Sequence, residues 1–189
     1  MLAIIMGKSC SGKDTVVNEL VKRGFKKIVT YTSRPIRKGE KNGREYYYIT
    51  RTDFADKIKD GFFAEYRTYD VGDNVWYYGS PIEEIVDASR SKDNYVIILT
   101  PDGVTKVISI LKNHFSDWNA KVIYLYANQL TILKRLKKRK DKNDSIERRM
   151  NADNEDFKDA FSLADKIVYN NSDEISDVVD KIIKYVSND

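Results

Sequence analysis

A glycine-bounded run near the start of the chain has the residue types needed to hold a phosphate chain. It reads Gly7-Lys8-Ser9-Cys10-Ser11-Gly12-Lys13-Asp14-Thr15 and has the spacing G-x-x-x-x-G-K. Gly7 and Gly12 let the backbone wrap closely, so that consecutive N–H groups point at an anion. The positive end of the helix that follows and the Lys13 ammonium add to this field. A chance glycine turn is the alternative, but the flanking strand and helix patterns favour a phosphate-binding loop.

The residue after the lysine departs from the usual pattern of such a loop. That position normally holds Ser or Thr, whose hydroxyl binds Mg²⁺, but here it is Asp14, followed by Thr15. Mg²⁺ takes oxygen ligands, and either side chain supplies one. We therefore expect a Mg²⁺ cofactor with Asp14 or Thr15 near it, and the sequence leaves the choice between them open.

A second group of basic and hydroxyl-bearing residues occupies 30–46. Arg34 and Arg37 flank a proline in this group and follow a run of hydroxyl-bearing residues, 30–33. Two arginines at this spacing suit bidentate capture of a second phosphate. Glu65 and the run Tyr77-Tyr78-Gly79-Ser80 come later. Taken alone, these residues are more typical of a basic surface loop and aromatic β packing.

The elements that must position these residues alternate between strand and helix patterns, which predicts a parallel sheet covered by helices. The predicted core strands are 2–6, 25–31, 94–100, 121–126 and 166–169. One predicted helix follows the phosphate loop, and a second begins with Pro81 as its first residue. Four more are predicted at 103–113, at 130–139, from a cap at Asp144-Ser145 to about Ala164, and at 173–186.

Residues 32–79 differ in character from the rest of the chain. This stretch is rich in tyrosine and is interrupted by glycines, with short β patterns at 44–49, 62–68 and 74–78 and a short helix pattern at 52–59. We interpret it as a small subdomain inserted into the parallel core.

The composition is that of a globular chain with one core. The 189 residues are 41% hydrophobic and 33% charged, with a net charge of +4. This charge is too small to demand a nucleic-acid partner, although it suits an anionic ligand. The lone cysteine, Cys10, excludes an internal disulfide framework and fits a reducing cytosol. The N-terminal apolar run is too short to span a membrane, so we expect a cytoplasmic protein without nucleic-acid or membrane partners.

Taken together, the motifs resemble those of the guanylate kinase family. The resemblance rests on the phosphate loop, the string T-S-R-P-x-R-x-G-E-x-x-G-x-E-Y, the F-x-E that contains Glu65, and Y-Y-G-S, at spacings that also fit. In the C-terminal half, Arg135, Arg139, Ser145-Ile146 and Arg149 are similar to the arginine-bearing lid of the family, and residues 165–170 to its last strand. The resemblance covers nearly the whole chain.

The resemblance implies an α/β fold of the P-loop NTPase type, with three layers around a parallel sheet. It implies one domain over residues 1–189, in which segments 1–31, 80–134 and 150–189 form the core, 32–79 form a β-rich subdomain for the nucleoside monophosphate, and 135–149 form a helical lid. The implied reaction transfers the terminal phosphoryl group of ATP to GMP or dGMP, in a monomer or a small homo-oligomer.

The resemblance also implies roles for individual residues. ATP would bind the phosphate loop through Gly7, Ser9, Cys10, Ser11, Gly12, Lys13, Asp14 and Thr15, with Asn170 near the adenine. The GMP site would comprise Thr30, Arg34, Arg37, Glu40, Tyr46, Glu65, Tyr78, Ser80 and Thr100, with Glu65, Thr30 and Ser80 at the guanine edge. The residues that neutralise charge during transfer would be Lys13, Arg34, Arg135, Arg139 and Arg149.

The chain departs from the family at the strand that ends near Thr100. The family usually has aspartates there, one of which helps to recognise guanine, but this strand carries no carboxylate and Asp102 lies two residues further on. We therefore expect less strict selectivity for guanine. The alternatives are a related nucleoside or deoxynucleoside monophosphate kinase, and a peptide-binding module without catalysis, for which we would expect a degraded phosphate loop. A GTP-hydrolysing switch would need a guanine-binding N-K-x-D, which the sequence lacks.

Overall fold

The computed structural model describes residues 1–72, 74–138, 146–172 and 174–187, and gives the backbone alone for Val71 and for 146–149. In chain order the first elements are β1 (Leu2–Met6), α1 (Lys13–Lys22), β2 (Lys26–Lys27), β3 (Tyr31–Thr32), β4 (Tyr47–Tyr48), α2 (Arg51–Lys59), β5 (Phe63–Val71) and β6 (Asn74–Pro81). They are followed by α3 (Ile82–Arg90), β7 (Tyr95–Ile98), α4 (Pro101–His114), β8 (Ala120–Tyr126), α5 (Gln129–Lys138), α6 (Ile146–Asp156), α7 (Ala160–Leu163), β9 (Lys166–Tyr169) and α8 (Ile175–Ser187).

The central sheet is parallel and has the strand order β2-β7-β1-β8-β9 in the described part of the chain. All five residues of β1 are buried, as expected for a strand that is covered on both faces. Ala3 and Ile5 pack with α1 and α8 on one side, whereas Leu2, Ile4 and Met6 pack with α3 and α4 on the other. The prediction of an α/β fold with a parallel sheet between helices is confirmed.

A second sheet, of order β4-β3-β6-β5, lies in the segment 31–81. Its longest pairing is the antiparallel hairpin of β5 and β6, in which Glu65 lies opposite Ser80, Arg67 opposite Tyr78, and Tyr69 opposite Trp76. A capping box between Thr50 and Asp53 starts α2. That helix buries Phe54 against this sheet.

The predicted strand 25–31 is wrong as a single element. Ile28 still donates its N–H to Val96 O in the central sheet at 3.0 Å, but Tyr31 pairs with Gly79 in the second sheet. The chain therefore crosses between the two sheets after only two ladder residues of β2. The predicted strand 44–49 likewise shrinks to β4, because Lys41 O accepts the N–H groups of Arg44 and Glu45 in a turn.

Two predicted helix boundaries also change. Pro81 is not the first residue of α3 but the last of β6, with φ −68° and ψ 132°, and the helix begins at Ile82. The predicted cap at Asp144-Ser145 lies outside the described residues, and the described part of the helix predicted to run to about Ala164 is broken into α6 and α7. The buried side chains of Phe157 and Ala160 lie at the break and pack in the core cluster that contains Tyr124.

Within the described ranges, no helix combines the length and apolar character that crossing a membrane requires.

Candidate active site

The predicted phosphate loop lies between β1 and α1 and is closely packed at its first glycine. A Cβ atom at Gly7 would lie 2.6 Å from Ser11 Oγ and 2.7 Å from the backbone oxygen of Leu125, which leaves room for glycine alone. Gly12 has φ 98° and forms the N-cap of α1, a conformation that glycine adopts without strain. Backbone N–H groups at this helix start are therefore available to an anion.

Arg135 and Asn170 form hydrogen bonds with the phosphate loop at Cys10 and Ser11. Arg135 Nη1 donates to the backbone oxygen of Ser11 at 3.2 Å and of Cys10 at 3.4 Å, and its Nη2 donates to Ser172 O at 3.1 Å. Asn170 is fully buried and donates from Nδ2 to Ser11 O at 2.7 Å. Both side chains therefore hold carbonyl groups of the loop in place.

Lys13 lies where two cavities meet. Its Nζ donates to Gly7 O at 2.7 Å and to Lys8 O at 3.0 Å. One cavity, here called the helix-side cavity, has a volume of about 580 Å³ and is lined by Lys13, Asp14, Thr15, Arg135 and Asn170 among others. The other, the hairpin-side cavity, has a volume of about 360 Å³ and reaches from Lys13 to the β5–β6 hairpin. Both volumes are within the range of small-molecule sites.

The hairpin-side cavity is lined by alternate residues of two strands. Glu65, Arg67 and Tyr69 face it from β5, and Trp76, Tyr78 and Ser80 face it from β6. Glu65 is 9% exposed and accepts a hydrogen bond from Ser80 Oγ. Burial raises the pKa of the Glu65 carboxyl, while the Ser80 hydrogen bond and the charges of Lys106 and Arg67 oppose that rise.

Arg34 and Arg37 have different surroundings: Arg34 is buried in an ion pair, whereas Arg37 lines the hairpin-side cavity. Arg34 is 4% exposed and forms a bidentate pair with Glu40 at 2.8 and 3.0 Å, while its guanidinium lies over the rings of Tyr46 and Tyr48. Burial alone would raise the pKa of Glu40, but hydrogen bonds from Arg34, from the Arg37 N–H and from Tyr48 lower it to about 2. Arg37 and Tyr46, not the Arg34–Glu40 pair, line the cavity.

Helix α6 contributes two carboxylates that the sequence interpretation missed. Asp153 accepts from the Ser9 N–H at 2.8 Å, and Asp156 accepts from Arg67 Nη2 at 2.9 Å. Both aspartates line the hairpin-side cavity. Burial raises the pKa of Asp153, against the opposing hydrogen bonds from Ser9 and the charges of Lys13 and Lys8.

A family model described as guanylate kinase matches residues 1–188. The chain belongs to the guanylate kinase family. This confirms the family resemblance inferred from the motifs.

Individual guanylate kinases show the extent of the similarity. The chain is 29% identical over 189 residues to the guanylate kinase of Fusobacterium nucleatum, covering 99% of this chain and 96% of that protein. It is 33% identical over 110 residues to that of Lactiplantibacillus plantarum, covering 57% of this chain. The matched segments span only about half the length of the L. plantarum and Clostridium tetani relatives, 52% and 50%.

A solved structure agrees in fold. The crystal structure of the guanylate kinase from Anaplasma phagocytophilum matches with a TM-score of 0.71 and 20% identity, covering 98% of this chain and 84% of that one. At this identity the match supports the fold alone.

Most of the site residues implied by the family resemblance line one or both of the two cavities, and a few lie behind the residues that do. Those lining one or both cavities are Gly7, Ser9, Cys10, Gly12, Lys13, Asp14, Thr15, Thr30, Arg37, Tyr46, Glu65, Tyr78, Ser80, Thr100, Arg135 and Asn170. Ser11 is a fully buried residue of the loop. The Arg34–Glu40 pair lies behind the cavity wall, where Arg34 contacts the ring of Tyr46. Arg139 and the side chain of Arg149 lie outside the described residues.

Thr100 has a local structural role at this guanylate kinase site. Its Oγ1 accepts the Gly103 N–H at 3.3 Å and caps α4, whose first residue is Pro101. The first turn of α4 also packs on Glu65, because a Cβ at Gly103 would lie 3.3 Å from that carboxylate. Thr100 therefore helps to close the cavity behind Glu65.

Proposed function

We propose that this guanylate kinase family member transfers the terminal phosphoryl group of ATP to GMP, and also to dGMP, giving ADP and the nucleoside diphosphate. The observation that carries the proposal is the position of Lys13, which lines both cavities. Two nucleotides bound in these cavities would direct their phosphates at one ammonium group. Phosphoryl transfer needs this in-line arrangement and charge neutralisation more than covalent help from the protein.

ATP is assigned to the helix-side cavity. The N–H groups of the loop and the start of α1 bind the phosphates, and Lys13 neutralises the terminal ones. Arg135 lies on the same cavity and already holds the loop through Cys10 O and Ser11 O. The adenine is assigned to the end of the cavity that Asn170 lines.

GMP is assigned to the hairpin-side cavity. Arg37, Tyr46 and Tyr78 surround the position of its phosphate, with Arg34 and Glu40 as positioning residues behind them. The buried carboxylate of Glu65 accepts from the guanine N1–H and the exocyclic amine, beside the hydroxyls of Thr30 and Ser80. Adenine lacks this pair of neighbouring donors, so the carboxylate would then have Ser80 as a partner but no donor from the base.

Three parts of the chain are assigned separate roles in this reaction. Segments 1–31, 80–134 and 150–189 form the core, 32–79 binds the monophosphate, and 135–149 acts as the lid, with Arg139 and Arg149 in it. We place the protein in the cytoplasm as a monomer or small homo-oligomer, without nucleic-acid or membrane partners.

A Mg²⁺ ion fits the donors at the start of α1. Asp14 and Thr15 are exposed there and line the helix-side cavity. In the described part of the chain no three acidic, His or Cys side chains form a cluster for a metal, which suits an ion that arrives on the nucleotide and keeps water and phosphate ligands. Asp14 or Thr15 would hold it, and the ion would neutralise charge between the phosphates of ATP.

The proposed reaction needs no strong general base from the protein. The attacking atom is already a phosphate oxygen of GMP, and the single histidine, His114, lies exposed at the end of α4. Lys13, Arg37 and Arg135 stabilise the charge that spreads over the transferred group. Closure of the cavities around the phosphates would keep water from competing with GMP.

The experiment that tests the proposal is a coupled ADP-release assay with ATP and Mg²⁺ across nucleoside monophosphates. We expect the highest kcat/KM with GMP and dGMP, an intermediate value with IMP, and a low value with AMP. A higher kcat/KM with AMP or a pyrimidine monophosphate would overturn the assignment of GMP.

A further inference from the structure

Arg67 is a charged residue in the hairpin-side cavity to which neither the motifs nor the family resemblance assigns a role. It lies two positions after Glu65 on β5, so both side chains extend from the same face of the strand. The residues on either side, Tyr66 and Thr68, are exposed on the other face, whereas Glu65 and Arg67 both line the cavity. A carboxylate and a guanidinium are therefore neighbours in the site assigned to the base.

One nitrogen of the Arg67 guanidinium is bonded to Asp156, and the other lacks a hydrogen-bond partner among the described residues. Nη2 donates to Asp156 Oδ1 at 2.9 Å, and the guanidinium carbon lies 5.6 Å from the centroid of the Tyr69 ring. The Nη1 atom is buried and has no hydrogen-bond partner among the residues that the structure describes. A buried donor without a partner costs free energy, so a ligand acceptor at this point would be bound favourably.

We infer that Arg67 is a specificity-determining residue that donates from Nη1 to the O6 oxygen of the guanine base, beside the contact of Glu65 with N1–H and the amine. The inference rests on the proposed function and deepens it. Guanine presents an acceptor at position 6, whereas adenine presents an amino donor there. An arginine at this position therefore favours guanine and opposes adenine, because two donors would face each other.

This arrangement also gives base selectivity a source other than the strand that ends near Thr100. That strand carries no carboxylate, and the Thr100 hydroxyl already accepts the Gly103 N–H. The second polar contact to the base then comes from β5 itself. Asp156 is a positioning residue in this account, since it holds the guanidinium by its other nitrogen.

The test is calorimetric binding of GMP, IMP and 2-aminopurine ribonucleoside 5′-monophosphate to the wild type and to Arg67→Met. GMP and IMP both have O6 and an N1–H, while the 2-aminopurine nucleotide has neither and keeps the exocyclic amine. We expect the dissociation constants for GMP and IMP to rise roughly 10- to 100-fold in the variant. We expect a rise of less than about threefold for the 2-aminopurine nucleotide, with no O6 contact to lose.

Two further variants separate base recognition from a structural effect. Arg67→Lys retains the charge and an ion pair with Asp156 but lacks the fork of the guanidinium, so it should lose most of the GMP affinity while keeping the melting temperature. Arg51→Met, which removes an exposed arginine of α2 that contacts Asn74, should leave all three dissociation constants unchanged. Equal losses for all three nucleotides in Arg67→Met would overturn the inference, because the residue would then act only by holding α6.

Turnover measured on the same samples distinguishes this inference from the proposed function. If the wild type binds GMP with the expected dependence on Arg67 but forms no GDP from ATP, the proposed function fails and the inference stands. If it forms GDP but Arg67→Met loses no affinity for GMP, the inference fails and the function stands. Failure of the wild type to bind GMP overturns the inference outright.

Discussion

Asp153 and Ser9 are joined by two hydrogen bonds, from the Ser9 N–H at 2.8 Å and from its hydroxyl at 3.2 Å. Ser9 belongs to the phosphate loop and Asp153 to α6, just after the proposed lid segment. The carboxylate therefore occupies a loop N–H of the kind that phosphate oxygens bind. Asp153 lines the hairpin-side cavity, whereas Ser9 and Lys13 line both cavities. Its negative charge therefore lies where the two cavities meet, and an ATP phosphate that needs the Ser9 N–H would compete with it.

The first prediction concerns this competition. Asp153→Ala should lower the dissociation constant for ATP roughly 3- to 10-fold, because it frees the Ser9 N–H and removes a repelling charge. Calorimetry with ATP in the presence of Mg²⁺ measures the change. Glu155→Ala is the matched control, because Glu155 is an exposed acid of the same helix that pairs with Lys158. Weaker binding of ATP by Asp153→Ala than by the wild type would contradict the competition.

The second prediction concerns the lysine between the cavities. Lys13→Ala should lower kcat by roughly 10²- to 10³-fold or more, because Lys13 stabilises charge on the transferred phosphoryl group. The far-ultraviolet circular dichroism and the cooperative unfolding transition should remain, since the lysine contributes little to the core. Lys22→Ala, at the other end of α1 on the surface, should keep wild-type kcat. Near-normal turnover by Lys13→Ala would argue against ATP on this loop.

The third prediction concerns the buried carboxylate in the hairpin-side cavity. Glu65→Gln should raise KM for GMP at least roughly tenfold and leave KM for ATP nearly unchanged, because the amide presents only one acceptor to the base. The loss should be smaller for IMP, which lacks the exocyclic amine. Equal effects on KM for GMP and for ATP would show that Glu65 supports the fold and not the base.

The raised pKa of Glu65 adds a pH dependence to the same measurement. The ionised form is the one that accepts from both guanine donors, and burial moves its pKa up from the ordinary value of 4.5. KM for GMP should therefore rise as the pH falls, starting above the ordinary pKa of a glutamate. In Glu65→Gln this acid limb should disappear, and its persistence there would assign the titration to another group.

The fourth prediction concerns the Arg34–Glu40 pair and acid stability. The pKa of Glu40 is lowered from 4.5 to about 2 in the folded protein, so the unfolded state binds the proton more readily. The stability that this carboxylate contributes is present above pH 4.5 and is lost as the pH falls towards about 2. Urea denaturation at several pH values should show a flatter decline in the free energy of unfolding for Glu40→Gln than for the wild type.

A control variant and a contradicting result complete this test. Glu83→Gln replaces an exposed acid of α3 and should retain the decline seen in the wild type. Identical slopes for Glu40→Gln and the wild type between about pH 2 and 4.5 would show that the ion pair does not couple to folding.

The features that could be predicted from the sequence are those encoded by neighbouring residues. The phosphate loop is one continuous run between a strand and a helix, and the buried strand β1 follows from five consecutive apolar residues. The parallel sheet follows from the alternation of such patterns. These signals depend on local backbone geometry and periodicity, which a single sequence contains.

Other features depend on contacts between distant segments and could not be predicted. The bonds of Ser9 with Asp153 and of Arg67 with Asp156 join residues 144 and 89 positions apart. Likewise, the spacing of Arg34 and Glu40 does not reveal that they pair with each other. Arg67 had one detectable signal, its position two residues from Glu65 on an alternating strand, but which face of β5 points into the cavity is decided by pairing with β6.

The most direct test of the proposed reaction is a competition in one vessel. ATP and Mg²⁺ are added to the wild type with equal concentrations of GMP, AMP, CMP, UMP and dTMP, each in excess over ATP. The nucleoside diphosphates are separated and quantified before the ATP is used up. We expect GDP to exceed every other diphosphate formed from an added monophosphate, and total ADP to equal the sum of GDP, CDP, UDP and dTDP plus twice the AMP consumed. Lys13→Ala should form no GDP above background. Preferential formation of another diphosphate, or release of ADP without any GDP, would contradict the proposed reaction.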